Sequence, residues 1–345
     1  MKLYVFPGNI EEDILQVGAQ AIPYMRTSQF SELVKDSEKM LLQLINCTNG
    51  RILFYTASGT GAMDAVVSNY VTTKSKAFVI AGGSFGYRWR DLCEYYNCFY
   101  SLFEVPFAKD INYELLERQV KETRPDVFLC QHHETSTGQL YNLERISAIC
   151  KKYNIFLIVD VISSFLADPL DMDKLGIGMC ITSSQKGLNI APGLSFIFLS
   201  EDALHEKFAH HGFYFDFKEN LKNLDRGQTP YSPATSLFMQ LHARLKKDIL
   251  LGTDTIVETV RSRALYFRQL CNNNNWTIPA EVPSNAITGF FVNNHGDKLF
   301  KELLSIGVYI MPGSTPNFFR VSHLGIQSKQ DLDQLAAQIK AIESI

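Results

Sequence analysis

Short runs of apolar residues alternate along this chain with longer segments in which apolar residues recur every three or four positions. The short runs are bounded by glycine, proline and polar residues, which is typical of strands buried on both faces, as in a parallel sheet. They predict strands at residues 51–56, 77–80, 126–130, 155–160, 177–181 and 194–199. The helical period predicts helices at residues 30–47, 143–153, 237–250 and 253–271, and two more that run onward to Tyr70 and through Trp89 to Tyr96.

A run of four asparagines at residues 272–275 interrupts this pattern. Beyond it the predicted elements are shorter: strands at residues 286–292, 308–311 and 318–321, and helices at 297–304 and 329–342. These elements suggest a small α+β domain. We therefore expect an N-terminal segment at residues 1–15, a large domain at 16–250 and a small C-terminal domain at 251–345.

The composition points to a protein that acts on small molecules. The chain has 345 residues, of which 46% are hydrophobic, and this is ample for a sizeable core. Its formal net charge of −3 gives no electrostatic reason to expect nucleic acid or an anionic membrane as a partner. No basic-plus-apolar leader opens the chain, and no apolar run reaches the roughly 18 residues of a membrane span. We expect a soluble, cytoplasmic protein.

The spacing of cysteines and histidines argues against disulfides and metals. The seven cysteines are odd in number, form no Cys-x-x-Cys pair and lie mostly in apolar surroundings, which suits free thiols in a reducing cytosol. His132, His133 and Glu134 invite a metal interpretation, but a His-Glu-x-x-His site would need a histidine where Thr137 stands. We expect no metal site, and we interpret His132 and Glu134 as structural.

One lysine, Lys186, stands among small uncharged residues on the loop between two predicted strands. Partial desolvation would lower the pKa of its ammonium group and leave a neutral nucleophile, although a solvated loop lysine is the ordinary alternative. Asp160 ends the preceding strand, and ligands of open α/β sheets bind at the carboxyl ends of strands. A Schiff-base lysine paired with an acid on the pyridinium nitrogen is the combination that pyridoxal phosphate requires.

The stretch from Val159-Asp160 to Ser184-Gln185-Lys186 resembles the class V aminotransferases, in the alanine–glyoxylate and serine–pyruvate aminotransferase group. The resemblance runs over nearly the whole chain, from Phe6-Pro7-Gly8 to Phe319-Arg320-Val321. It implies an α/β fold of the fold type I pyridoxal-phosphate transferases, with a large, mostly parallel seven-stranded sheet domain and a smaller C-terminal α+β domain. It also implies a homodimer whose active site is shared across the interface.

The resemblance assigns roles to particular residues. It makes Lys186 the residue that holds pyridoxal 5'-phosphate and moves the substrate proton, and Asp160 the acid on the ring nitrogen. The other cofactor contacts that it implies are Ser58, Gly59 and Thr60 on the phosphate, Phe85 and Ile162 on the two ring faces, Thr135 on the ring, Gln185 on the phosphate or phenolate side, and Thr229 on the partner's phosphate. For the substrate it implies Arg320 on the α-carboxylate and Gly8 in the lining of the pocket.

Two of these motifs also have physical support. Small residues at a strand-to-helix junction, as at Ser58 to Thr60, let backbone amides approach a phosphate at the positive end of a helix. A dinucleotide fingerprint is excluded because Asp64 stands where its third glycine should be, but a tight turn that binds nothing remains an alternative. Phe85, an aromatic residue between glycines, would stack well on a planar ring.

Three assignments stay open in the sequence. Tyr231 competes with Thr229, because the resembling family more often shows Tyr-x-x-Thr at this point. Arg320 stands in an apolar strand, where a buried guanidinium needs an anion, and an internal salt bridge would serve as well as a substrate. Arg26 near the N-terminus has a solvent-facing alternative to a role at the site.

We expect an aminotransferase that moves the amino group of alanine or serine to glyoxylate or pyruvate in a ping-pong cycle, acting on small amino and oxo acids. A 2-aminoethylphosphonate–pyruvate aminotransferase is one alternative, since Arg320 would also bind a phosphonate. A class V lyase or cysteine desulfurase is another, but it would need a cysteine on a mobile loop, and residues 181–270 hold none. A binding protein without activity is disfavoured because Lys186, Asp160 and Arg320 are all present.

Overall fold

The computed structural model, which describes residues 1–209 and 211–344, is built around one large sheet. The strands of the chain are β1 (Lys2–Leu3), β2 (Arg51–Tyr55), β3 (Ala77–Ala81), β4 (Tyr100–Glu104), β5 (Val127–Gln131), β6 (His133–Glu134), β7 (Gln139–Leu140), β8 (Phe156–Asp160), β9 (Met179–Ser183), β10 (Ser195–Leu199), β11 (Ile287–Phe291), β12 (Val308–Tyr309), β13 (Met311–Pro312) and β14 (Phe318–Ser322). The large sheet has the order β2-β10-β9-β8-β5-β3-β4. β10 runs antiparallel to β2 and β9, and the other pairs are parallel, which confirms the predicted seven-stranded, mostly parallel sheet.

Helices cover both faces of this sheet. The helices are α1 (Glu12–Gly18), α2 (Ser28–Ile45), α3 (Gly59–Asn69), α4 (Ser84–Tyr95), α5 (Tyr113–Thr123), α6 (Leu143–Tyr153), α7 (Met172–Leu175), α8 (Glu201–Leu204), α9 (Phe217–Leu224), α10 (Thr235–Leu251), α11 (Thr253–Asn273), α12 (Gly296–Ser305) and α13 (Lys329–Glu343). Because successive strand residues point to opposite faces, Phe128 packs in one core with α2, α5 and α6, while Leu129 packs in another with α3 and α4. Burial on both faces explains why the strands read as continuous apolar runs.

The C-terminal residues form a smaller α+β unit, as the sequence predicts. Its antiparallel sheet has the order β11-β14-β13, and α11, α12 and α13 pack on a core that contains Phe267, Phe290 and Leu335. The N-terminal strand β1 pairs in parallel with β12, so the first residues of the chain join this unit. The division of the chain at residues 15 and 250 stays a prediction.

Some elements differ from the sequence interpretation. The predicted single strand at 308–311 is wrong, because Val308–Tyr309 pairs with β1 whereas Met311–Pro312 pairs with β14. The strand predicted at 177–181 lies two residues later, at Met179–Ser183. The edge strand β4 and helix α5 were not predicted from the residues. No helix within the described ranges is both long and apolar enough to span a bilayer.

Candidate active site

The carboxyl ends of the parallel strands meet at one edge of the large sheet, and the predicted lysine and acid both lie there. The register pairs Asp160, the last residue of β8, with Gln131 on one side and Ile181 on the other. Lys186 follows β9 by three residues. The fold therefore brings together an acid and an amine that the sequence places on neighbouring strands.

The side chain of Lys186 is buried, with an exposed fraction of 9%. Burial lowers the pKa of its amine to about 7, because the charged form loses its hydration; the carboxyl of Asp160 opposes this change, and the guanidinium groups of Arg320 and Arg88 add to it. The amine nitrogen lies 3.4 Å from the centroid of the Phe6 ring. Lys186 thus has the properties of a nucleophilic amine near neutral pH.

The carboxyl of Asp160 is also buried, and one of its oxygens accepts a hydrogen bond of 2.8 Å from the backbone N–H of Ile162. Burial raises the pKa of Asp160 to about 7, and the negative charge of the nearby Glu134 adds to this increase. The Ile162 amide and the positive charge of Lys186 oppose it. A cationic ring N–H placed against this carboxyl would favour its ionised form. A positively charged partner would therefore have a large effect on the pKa of Asp160.

The N-terminus of α3 forms another wall of this edge. Ser58 is the exposed N-cap residue and makes no side-chain capping bond to any described residue, so its hydroxyl leaves the N-terminus of α3 uncapped. A Cβ at Gly59 would lie 2.4 Å from Cδ1 of Ile162, which shows how closely the helix approaches the loop after β8. Arg88 donates a 2.9 Å hydrogen bond to the hydroxyl of Thr60. An anion at this helix end would meet the helix dipole and a guanidinium together.

Helix α4 presents Phe85 to the same edge, and Glu134 fixes its start. The carboxylate of Glu134 accepts hydrogen bonds from the backbone N–H of Gly86 at 3.0 Å and of Phe85 at 3.4 Å. The Arg88 guanidinium lies 4.8 Å from the centroid of the Phe85 ring. A buried carboxylate at a helix N-terminus is stabilised by these amides, so Glu134 positions the aromatic residue.

The loop that contains Thr135 contacts the loop after β8. The Thr135 hydroxyl lies 2.7 Å from the hydroxyl of Ser163, which lies 2.8 Å from Nδ1 of His133. All three side chains are buried. The predicted ring contact, Thr135, thus belongs to a hydrogen-bonded group that the sequence did not indicate.

Arg320 reaches the same place from β14. Its guanidinium donates 2.9 Å hydrogen bonds to the backbone carbonyls of Thr135 and Pro312, while its Nε is buried with no partner among residues 1–209 and 211–344. Among the described residues Arg320 makes no salt bridge; burial lowers the pKa of its guanidinium, and the charge of Glu134 only opposes this change. Arg320 is therefore a half-buried cation whose buried Nε is a free donor beside Thr135.

The remaining predicted residues lie further out. The Thr229 hydroxyl donates to the carbonyl of Tyr231 at 2.7 Å, and the hydroxyl of Tyr231 donates to the carbonyl of Phe213 at 3.1 Å. Arg26 is not simply solvent-facing, since it donates to the carbonyl of Thr229 at 2.8 Å. This segment is braced within its own protomer, and the choice between Thr229 and Tyr231 stays open.

Gly8 and Gln185 flank the lysine loop. Gly8 has a φ of +84°, and a Cβ there would lie 2.5 Å from the carbonyl oxygen of Leu324, so this close approach requires glycine. The neighbouring carbonyl of Pro7 accepts a 2.7 Å hydrogen bond from Asn189 of the lysine loop. The Oε1 atom of Gln185 is buried and has no partner in the described part of the chain.

Sequence reasoning missed Phe6, Arg88, His133 and Ser163 as members of this site. A signal existed for Arg88, because it lies three residues after Phe85 on one face of a helix. No local pattern could place Phe6 over Lys186, since the two residues are far apart in the sequence. For His133, the failed metal spacing drew attention away from its hydrogen-bonding capacity.

The largest groove elsewhere in the described part of the chain does not offer comparable chemistry. A groove of about 1480 Å³ lies at the amino ends of the strands, away from Lys186, and mixes residues of both charges such as Arg124, Asp126 and Glu206. Among the described residues, no group of three or more His, Cys, Asp and Glu side chains could hold a metal ion. The site is therefore the edge that carries Lys186 and Asp160.

Comparison with known proteins agrees with this geometry. Residues 20–226 match the family model described as aminotransferase class-V. An uncharacterized aminotransferase of Methanocaldococcus jannaschii is 27% identical over 96% of this chain and 90% of its own length, and a 2-aminoethylphosphonate–pyruvate transaminase of Phocaeicola vulgatus is 26% identical over 90% of each. The crystal structure of an aspartate aminotransferase of subgroup IV from Thermus thermophilus superposes with a TM-score of 0.91 at 22% identity, covering 98% of this chain and 97% of that one. The chain therefore belongs to the class V aminotransferases, enzymes of fold type I that use pyridoxal 5'-phosphate.

Proposed function

We propose that this aminotransferase moves the amino group of a small amino acid of the alanine or serine type to glyoxylate or pyruvate. The observation that carries the proposal is the free Nε donor of Arg320, buried beside Thr135 on the edge that holds Lys186. A guanidinium fork matches a carboxylate bidentately, and a buried donor without a partner is costly until an anion occupies it. Arg320 is the residue that we assign to the substrate α-carboxylate.

The residues present fit the cofactor. The unpartnered Oε1 of Gln185, the uncapped N-terminus of α3 and the buried pair of Lys186 and Asp160 are polar groups that lack a complete set of partners within the described chain. We assign the phosphate to Ser58, Gly59 and Thr60, the ring faces to Phe85 and Ile162, and the ring substituents to Thr135 and Gln185. When bound, pyridoxal phosphate supplies an aldehyde that combines with amines and a cationic ring that withdraws electrons.

The chain's own groups account for binding and proton transfer. The buried amine of Lys186 is half neutral near pH 7, so its nitrogen can take the proton from the substrate Cα and later return it. When the cofactor is bound, the carboxylate of Asp160 would keep the ring nitrogen protonated by accepting a hydrogen bond from its N–H. Arg320 orients the amino acid so that its Cα–H bond faces the amine.

The position of Phe6 supports a small donor. Its ring lies 3.4 Å from the Lys186 nitrogen, so it occupies space next to the atom that must approach the substrate Cα. The ring also excludes water from the amine. Alanine and serine have small side chains, which such a covered site would accommodate.

A second candidate is 2-aminoethylphosphonate as the donor. Arg320 would bind a phosphonate as well as a carboxylate. The relative from Phocaeicola vulgatus, which aligns over 90% of each chain, carries that activity in its name. The two donors differ in where their anionic group lies relative to the amine.

We also infer that the enzyme is a cytoplasmic homodimer. All seven cysteines are free thiols, which suits a reducing compartment. Thr229 and Tyr231 are the candidates for the contact with the partner's phosphate. The dimer follows from the family resemblance and is tested by the mixed dimers described in the Discussion.

A donor screen tests the proposed function. Holoenzyme is mixed with alanine, serine, 2-aminoethylphosphonate or cysteine without an oxo acid, and the loss of the cofactor's absorbance near the visible edge is followed. Alanine or serine should remove the band fastest, and glyoxylate or pyruvate should restore it. Preference for 2-aminoethylphosphonate would favour the second candidate, and release of sulfide from cysteine would contradict both.

A further inference from the structure

His133, Ser163 and Thr135 form a buried hydrogen-bonded series that ends in the active site. Nδ1 of His133 lies 2.8 Å from the Ser163 hydroxyl, and that hydroxyl lies 2.7 Å from the hydroxyl of Thr135. The exposed fractions of the three residues are 3%, 3% and 6%. At these distances both contacts are full hydrogen bonds, and their direction depends on where each proton resides.

The surroundings keep the imidazole of His133 neutral. Burial lowers its pKa well below 6.5, and the charged or titratable groups that act on it, which are Lys186, His132, Arg320 and Arg268, lower it further. A neutral imidazole carries a single proton, on Nδ1 or on Nε2. The ring therefore both donates and accepts, and its tautomer decides the direction of the series.

The second nitrogen of His133 selects the tautomer. Nε2 is buried, and it has no hydrogen-bond partner among residues 1–209 and 211–344. A proton on Nε2 would leave a buried N–H donor unsatisfied, and such donors are rare in proteins. With the proton on Nδ1, the imidazole donates to Ser163 and Nε2 presents a lone pair instead.

The position of the proton on His133 then fixes the direction of both hydrogen bonds in the series. Because Ser163 accepts from His133, its own proton is directed to the oxygen of Thr135. The oxygen of Thr135 thus accepts a hydrogen bond from Ser163. The hydroxyl proton of Thr135 must therefore point to an acceptor other than Ser163. The backbone carbonyl of Thr135 is fixed by a 2.9 Å hydrogen bond from Arg320, which holds the residue at the edge of the site.

We propose that His133 is a positioning residue that acts through Ser163 to make the Thr135 hydroxyl a hydrogen-bond donor to an anionic oxygen in the active site. The acceptor is the ring oxygen of pyridoxal phosphate, and this identification rests on the proposed function. The direction of the series does not depend on it.

The tautomer is tested by nitrogen NMR on the full-length protein labelled with ¹⁵N-histidine, recorded before and after addition of pyridoxal phosphate. The signals of His133 are assigned by their loss in His133→Asn, with His132→Asn as the control, because His132 is a buried neighbour whose pKa is lowered to about 3 by burial. We expect a neutral ring with the proton on Nδ1. A proton on Nε2, or a charged ring at pH 7, would overturn the direction of the series whether or not the cofactor assignment is right.

The effect on the cofactor is tested by the pH titration of its absorbance. His133→Leu leaves the Ser163 hydroxyl free to accept a hydrogen bond from Thr135, and Thr135→Val removes the donor itself, so in both variants the ring oxygen should lose its donor and become more basic. The midpoint should move to higher pH by about one unit, since a hydrogen bond to a charged group contributes about that much. His133→Asn places an amide N–H close to the position of Nδ1, and it should restore the midpoint to within a few tenths of a unit.

These outcomes separate the inference from the proposed function. An unchanged midpoint in His133→Leu, with a shifted midpoint in Thr135→Val, would overturn the role of His133 and Ser163 at the cofactor. Equal shifts in His133→Leu and His133→Asn would indicate a packing effect and would also overturn it. Failure of the unmodified protein to bind pyridoxal phosphate would instead refute the proposed function, while the NMR result would still decide the direction of the hydrogen bonds.

Discussion

The amine nitrogen of Lys186 lies 3.4 Å from the centroid of the Phe6 ring, so a residue of the N-terminal segment covers the nucleophile. Two effects of this contact oppose each other. The π face of the ring favours the ammonium form by roughly 0.5–2 kcal/mol, whereas exclusion of water favours the neutral amine. The pKa of Lys186 falls from 10.5 to about 7, a change worth roughly 5 kcal/mol, so burial dominates.

The first prediction concerns the reactivity of Lys186 in cofactor-free protein. Its amine should react with cyanate as the neutral form appears, with a midpoint near pH 7. A lysine in a short unstructured peptide should react with a midpoint near its usual value of about 10.4. The carbamylated fraction is measured by peptide mass spectrometry at a series of pH values. A midpoint above pH 9 would show that the amine is hydrated.

The second prediction separates the two effects of Phe6. Phe6→Ala admits water, so the cyanate midpoint of Lys186 should rise toward the value of an exposed lysine. Phe6→Leu keeps most of the apolar volume but removes the π face, so the midpoint should stay near that of the unmodified protein or fall slightly. Equal midpoints in Phe6→Ala and the unmodified protein would mean that other residues provide the burial.

The third prediction is that Asp160→Asn stabilises the cofactor-free protein at high pH. The folded-state pKa of Asp160 is raised from 3.8 to about 7, chiefly by burial, so its contribution to stability is full below pH 3.8 and is lost as the pH rises to about 7. Asparagine retains an acceptor for the Ile162 N–H but does not ionise. The variant should gain a few kcal/mol over the unmodified protein between pH 4 and 8.

Thermal unfolding of the cofactor-free proteins at pH 5 and pH 8 measures this gain. The difference in Tm should be larger at pH 8 by several degrees. Asp225→Asn is the control, because Asp225 is a surface acid whose side chain is 71% exposed, and its Tm difference should not depend on pH in this way. A pH-independent difference for Asp160→Asn would refute the effect of the buried charge. A substitution that removes a buried functional acid is expected to stabilise the fold, because the acid is kept for function at a cost in stability.

The large sheet could be predicted because its strands are buried on both faces and read as apolar runs. Six of its seven strands follow from the residues, and the seventh, β4, follows only from the family resemblance. This edge strand, Tyr100–Glu104, has a single buried residue, so no continuous apolar run marks it. Similarly, the chain between Val308 and Pro312 changes strand partners, and this depends on the N-terminal strand rather than on local sequence.

The site was predictable where its residues occur at strand ends and in motifs. Asp160 and Lys186 follow from that rule. Phe6 and Ser163 do not, because their contacts join segments distant in sequence and depend on the finished fold. The sequence also predicts Arg320 at the site, but only the geometry distinguishes a free donor from an internal salt bridge.

The fourth prediction is that Arg320 determines donor binding. Arg320→Lys keeps the charge but loses the planar fork, so KM for the amino donor should rise about tenfold, and Arg320→Ala should raise it about a hundredfold. The cofactor's absorbance band should be retained in both variants. Steady-state kinetics with the donor identified in the screen measure these changes.

Arg51→Lys is the matched control for this prediction. Arg51 is also a strand arginine, but it has acidic partners, with 2.9 Å contacts to Glu38 and Asp225. Its replacement should leave the donor KM unchanged. If Arg320→Lys and Arg51→Lys had equal effects on KM, Arg320 would have no special contact with the substrate.

The last prediction uses mixed dimers to test whether Thr229 acts across the interface. Thr229→Ala should weaken cofactor binding in a homodimer, whereas Thr229→Ser should retain it, because serine keeps the hydroxyl. Lys186→Ala homodimers should be inactive. If each site combines Lys186 of one protomer with Thr229 of the other, a mixed dimer of Lys186→Ala and Thr229→Ala has one site in which both residues are intact.

That mixed dimer should therefore recover about half of the unmodified activity at limiting cofactor. If Thr229 instead serves its own protomer, the protomer with an intact Lys186 lacks Thr229, and no recovery occurs. The dimers are separated by two different affinity tags, and the cofactor dissociation constant is measured with activity. The same experiment with Tyr231→Phe identifies which hydroxyl reaches the partner's active site. In the single protomer each hydroxyl donates to a carbonyl of its own chain, at 2.7 Å for Thr229 and 3.1 Å for Tyr231. A hydroxyl that binds the partner's phosphate must give up its bond to this carbonyl. Recovery of activity in the mixed dimer with Thr229→Ala but not with Tyr231→Phe, or the reverse, would decide between the two residues.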